Sequence, residues 1–175
     1  MRKGVTPKYK DISKQLIAMA EKERKMSMDH FSRKASLNQS VLSEHLETLK
    51  KVIERMGWPT ISKVGQEASS AAWLIAQHGD SDVEFQEKCL QLMLDAEPKD
   101  IDLQDITFLA DRVAVNKGEK QTYGTQFYMN KAEDIIPRPI KNRKDLDARR
   151  SKMGLKPFED YVQEMKPFHD RTRNK

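Results

Sequence analysis

The stretch QEASSAAWLIAQHGD, residues 66–80, decides the fold. Residues 66–78 hold four alanines with Trp73, Leu74 and Ile75 among them, so a helix here is apolar on nearly every side. Such a helix has no wet face and belongs at the centre of a helical domain. Gly79 breaks it, and the polar turn that follows carries His78, Asp80 and Asp82 out of the apolar run.

Working outward, the flanking segments also read as helices. Residues 41–56, VLSEHLETLKKVIERM, place Leu42, Leu46, Leu49, Ile53 and Met56 on one stripe, stopped by Gly57 and Pro59. Residues 11–26 carry Ile12, Leu16, Met19 and Ala20 at helical spacing, with Asp11 or Ser13 as cap, while the polar residues 27–40 read as a loop or a short helix. Downstream, Ser81 or Asp82 caps a helix through about Ala96 with Phe85, Cys89, Leu92 and Met93 inward, and Pro98 ends it. A further helix opens at Asp102 and closes at Gly118.

After Gly118 the period changes. QTYGTQFYMN (121–130) and EDIIPRPI (133–140) are rich in Thr, aromatic and β-branched residues, and two short strands in a hairpin over about 121–139 fit them best. In a strand, Gln121, Tyr123 and Thr125 share one face, and Gly124 marks a close approach by a backbone or a ligand. Residues 143–153 and 157–166 read as two short helices. The expectation is a mostly α domain with one small hairpin. An N-terminal helix and polar linker (1–40) precede a core (41–166), and a basic flexible tail (167–175) follows.

Composition bounds the function. The chain has 175 residues, 34% charged and 37% hydrophobic, with one cysteine. That excludes an intramolecular disulfide framework and a Cys-rich zinc site. No run approaches a membrane span and MRKGVTPKYK lacks a signal core, which predicts a cytoplasmic protein. The net charge of +5 is uneven, because residues 138–175 carry 12 basic against 6 acidic side chains. A basic C-terminal region fits an acidic protein or nucleic acid as partner. However, no aromatic and basic residues interleave there, so a solvated face is the simpler reading of Arg149 and Arg150.

Three polar blocks carry the candidate chemistry. His78 with Asp80 supplies a general base or acid beside a carboxylate, and His78, Asp80 and Asp82 offer a cramped set of metal ligands. No second histidine stands nearby, so no metal or other cofactor is assigned. Asp111 and Arg112 point about 100° apart on their helix, so each needs a partner elsewhere. Arg112 suits an anionic group, and a buried ion pair tying this helix to the hairpin is the structural alternative. The run Gln121 to Gln126 offers amides and hydroxyls for a small polar molecule, or equally for buried polar groups. Cys89 reads as core, and His30, His45 and His169 read as surface residues. No phosphate-cradling glycine loop and no metalloprotease or serine-hydrolase signature appears.

Taken together, the motifs GWPT (57–60), VG (64–65), AAWLIAQHGD (71–80), FQ (85–86), LADRV (109–113), QTYGTQ (121–126) and LDARR (146–150), with Met153-Gly154-Leu155 and Tyr161, look like a widespread family of unknown function. The resemblance covers roughly residues 44–162 and implies no reaction. Members of that family often carry an Asp-Gln pair before an Arg in the first helix, where this chain reads Glu21-Lys22-Glu23-Arg24. A family marked largely by polar residues implies that they converge on a site.

The expected pocket lies between the 66–78 helix, the 102–117 helix and a 121–127 strand. His78 is its acid–base group, oriented by Asp80 or Asp111. Gln77, Gln86, Arg112, Gln121, Tyr123 and Gln126 bind a small polar or anionic substrate. The expected chemistry is hydrolysis or group transfer. The competing expectation is a non-catalytic interaction protein acting through residues 138–175.

Overall fold

The structure is a computed structural model that describes residues 7–31, 38–131 and 134–173. It is mostly helical, with α1 (Lys10–Phe31), α2 (Gln39–Met56), α3 (Ile61–Val64), α4 (Gln66–Gln77), α5 (Val83–Leu94), α6 (Leu103–Asn116), α7 (Leu146–Lys152) and α8 (Phe158–Arg173). Strands β1 (Phe127–Met129) and β2 (Ile135–Pro137) make one antiparallel hairpin, the only sheet among the described residues. Its register pairs Phe127 with Pro137 and Met129 with Ile135.

The apolar helix α4 is central, as its composition demands. It packs against α1, α2, α3, α5 and α6. Ala68, Ala71, Ala72, Ile75 and Ala76 are buried, and the alanines let neighbouring helices approach closely. Helix α1 joins the same core through Ile12, Leu16, Met19 and Ala20, so no separate core forms ahead of residue 41. This helix runs on without a break to Phe31, past the boundary expected at residue 27, where a loop or a separate short helix was to begin.

Helix ends follow local chemistry. Asp82 caps α5 by accepting from the Phe85 N–H at 3.0 Å, and Asp102 caps α6 through the Gln104 N–H at 2.9 Å. Gly57, at φ +70°, ends α2 and sends its N–H back to the Ile53 carbonyl. The final helix continues to Arg173 rather than stopping at 166. The side chains from 166 onward, His169 included, and residues 174–175 lie outside the described residues.

The segment 121–126 departs from expectation. Gln121 makes an isolated parallel bridge to Ile140, residues 122–126 form an irregular loop, and the antiparallel ladder begins only at Phe127. The Asp111 carboxylate draws the N–H groups of Thr122, Tyr123 and Thr125 inward and away from strand pairing. Gly124 does mark a close approach, but by a side chain and not by the expected backbone or ligand: its φ is +73°, and a Cβ there would lie 2.7 Å from the Phe158 ring.

A histidine–carboxylate cluster beside a small cavity

Helix α1 carries Glu23 one turn beyond Met19 and Ala20, on the buried face. Its carboxylate is 1% exposed and receives two imidazoles. His45 Nδ1 lies 2.7 Å from Oε1 and His78 Nδ1 lies 2.6 Å from Oε2. A carboxylate only accepts, so both rings donate from Nδ1. For His78 this leaves Nε2 as the nitrogen available to a ligand. Both oxygens of a buried charge are thereby hydrogen-bonded, which offsets the several kcal/mol of desolvation such a charge costs.

His78 occupies the C-terminal end of α4, where the main chain leaves the core. It is 26% exposed and lines a cavity of about 160 Å³. Ser27 of α1, Leu42, Ser43 and Leu46 of α2, and Arg112 of α6 complete the walls with Gln39 and the turn 79–81. The cavity therefore lies on the α1–α2 side of the α4–α5 turn and is not formed by the hairpin. His78 is oriented by Glu23, not by Asp80 or Asp111. His45, expected at the surface, is buried beneath the site, whereas His30 is exposed.

Asp80 and Arg112 form the cavity's second polar group. Arg112 Nε donates to Asp80 Oδ1 at 2.8 Å and its Nη2 donates to Oδ2, a side-on fork. Asn116 Nδ2 donates to the same Oδ1 at 2.8 Å. Burial pushes the Asp80 carboxyl up, but Arg112, Asn116 and Gln86 outweigh it and hold the group below its usual value. On its other side Arg112 Nη1 donates to Gln126 Oε1 at 3.2 Å. Gln86, fully buried, spans the α4 terminus: its Nε2 donates to the Ala76 carbonyl at 3.0 Å and its Oε1 accepts from Asn116. Gln77 is buried with no partner for its side-chain oxygen among the described residues. Asp82 turns away to cap α5 and to pair with Lys50 at 2.8 Å, so His78, Asp80 and Asp82 do not converge as metal ligands. No metal-binding cluster is present among the described residues.

The remaining expected site residues build a scaffold. Asp111 is fully buried, and its oxygens accept from the N–H groups of Thr122 (2.6 Å), Tyr123 (2.9 Å) and Thr125 (2.9 Å) and from the Thr125 hydroxyl (3.1 Å). The helix is thus tied to the hairpin through main-chain donors, not through an ion pair. Gln121 closes the hairpin base, donating to the Gln126 and Arg138 carbonyls and accepting from the Gln126 N–H. Tyr123 gives its carbonyl to Arg150, and burial followed by the Asp111 charge raises its phenol.

Arg149 and Arg150 do not form a solvated face. Arg149 binds the carbonyls of Thr122, Lys141 and Asn142. Buried Arg150 binds those of Tyr123 and Lys156 and lies against Phe158 and Tyr161.

A mostly helical domain with one hairpin and a buried carboxylate holding two imidazoles is the class that fold and site define. The chain belongs to a family of unknown function, DUF6624, whose pattern matches residues 10–170. No curated protein and no solved structure matches the chain. No described helix is long and apolar enough to cross a membrane.

Glu23 and His45 were missed in the sequence, yet both left a signal. Each sits on the buried stripe of its own helix, Glu23 after Ile12, Leu16 and Met19, and His45 between Leu42 and Leu49. A titratable residue on an apolar stripe requires a buried partner.

Proposed function

We propose that this protein acts on a small polar molecule in the cavity, as a hydrolase- or transferase-type enzyme with His78 as general base and acid. The observation that carries the reading is the 2.6 Å bond from His78 Nδ1 to a carboxylate 1% exposed, with the ring lining a cavity. A carboxylate behind Nδ1 fixes the tautomer and stabilises the imidazolium that forms when Nε2 takes a proton. The proton goes from water or a substrate hydroxyl to Nε2, and then to the departing group. The cavity has room for a group about the size of a single ring or a short organic acid.

The alternative, a binding protein acting through its basic C-terminal region, draws less support. Arg149 and Arg150 are committed to backbone carbonyls there, and Lys141, Arg143 and Lys156 pair with Glu119, Glu159 and Glu164.

The test is depletion of a mixed pool of small metabolites, followed by mass spectrometry. The wild type should consume at least one component, and His78→Asn should slow that by about a hundredfold or more with an unchanged fold. Equal consumption by both proteins, or none by the wild type, overturns the reading.

A further inference from the structure

We propose that the cavity takes a compact oxyanion, with Arg112 as its anchor and His78 beside it. The inference rests on the reading of His78 above and adds the class of ligand.

The argument starts with the guanidinium. Arginine offers five N–H donors. Asp80 engages Nε and one donor of Nη2, and Gln126 engages one donor of Nη1. Two N–H donors therefore remain on a side chain that is 32% exposed and lines the cavity. The flanking partners already fix the orientation of the group, so little rotamer entropy is left to lose when an anion docks.

The rest of the lining is rich in donors. Ser27, Ser43 and Ser81 add hydroxyls. Gln39, in the first turn of α2, also belongs to the lining, and the positive end of the helix dipole there favours a negative ligand. Two acidic groups stand nearby, Asp80 within the lining and Glu23 behind it. Both oxygens of Asp80 are engaged by cationic or amide donors, and Glu23 sits behind the imidazoles and is not part of the lining. Leu42 and Leu46 give the cavity one apolar wall, which suits the short hydrocarbon part of an organic acid better than an inorganic ion.

Titrating the full-length protein with sodium acetate and sodium sulfate at constant ionic strength, followed by amide NMR, tests this. Saturable shifts at residues 39–43, 78–81 and 112 are expected, with neutral acetamide giving none. Ser43→Asp places a carboxylate at an exposed lining position without touching the Arg112 network. It should weaken anion binding about tenfold or more, roughly 1.4 kcal/mol, and by clearly more than Ser43→Asn, which replaces the hydroxyl without adding a charge. Arg112→Gln should weaken binding similarly, its fold checked by the same spectra.

The proposal is overturned by no saturable shift with either anion up to about 50 mM. It is equally overturned if acetamide binds as well as acetate, or if Ser43→Asp is unaffected. The two readings fail separately. Anion binding without metabolite depletion removes the catalytic reading alone. His78-dependent depletion of neutral compounds only removes the anion class alone.

Discussion

Glu23 and His78 stand 55 residues apart in the chain, and a 2.6 Å hydrogen bond joins them. The same carboxylate holds His45 through its other oxygen. One buried acid therefore sets the tautomer of two imidazoles, and only one of them reaches the cavity. Helix α1 contributes the group that gives His78 its direction, and α4 contributes the ring.

Glu23→Gln tests that arrangement. A glutamine offers one accepting oxygen and one donating NH₂, so it cannot receive two Nδ1–H donors. One ring must move its proton to Nε2 or lose its partner. Long-range nitrogen–proton NMR should show His45 and His78 both as Nδ1–H in the wild type and only one of the two in the variant. The stability loss should be about 1–3 kcal/mol. Two unchanged rings would refute the shared-carboxylate geometry.

Asp111→Asn should act on the scaffold and spare the imidazoles. The new NH₂ faces backbone donors, so hydrogen bonds are lost and donors confront each other. Denaturant titration should show a loss of about 3 kcal/mol. Hydrogen exchange should accelerate at Thr122, Tyr123 and Thr125, with the His78 proton still on Nδ1. A shift of the His78 tautomer would mean that Asp111 orients the ring after all.

Asp105 gives a pH signature. Burial first, and the Asp102 charge second, raise its carboxyl to about 7 from 3.8. The folded chain holds this proton more tightly than the unfolded chain. The contribution to stability is therefore full below pH 4 and is lost as pH rises towards 7. Asp105→Asn keeps the neutral shape at every pH. It should match the wild type at pH 4 and be more stable at pH 8, by about 2 kcal/mol after allowance for partial exposure. An equal gain at both pH values would place the effect elsewhere.

Cys89 is buried on α5, and desolvation pushes its thiol up to about 12. A disulfide exchange reagent at pH 8 should leave the folded protein unmodified and label it at the rate of unfolding. Rapid labelling under native conditions would show that α5 opens locally.

Much of the fold was legible because its signals are local. The alanine-rich run at 66–78 announced a central helix, Gly57 and Pro59 announced the end of α2, Ser81 or Asp82 announced the start of α5, and Asp102 that of α6. The 122–126 segment was not legible as a loop, because the residue that holds its N–H groups is Asp111, on another element. The candidate site was half legible. His78, Asp80 and Arg112 do share one cavity wall, but Glu23 and His45 reach His78 only through the packing of α1 and α2 against α4. No spacing in the sequence encodes a contact between residues 23 and 78.

The grip of Asp111 on residues 122–125 works on the main chain, with the Thr125 hydroxyl as the one side-chain contact. Every amino acid except proline presents the same N–H, so the course of this loop is not spelled by the letters at 122 and 123. It is spelled at position 111, on a helix that ends before the loop begins. Two neighbouring side chains can thus be exchanged for new surface chemistry while the path beneath them stays where α6 has put it.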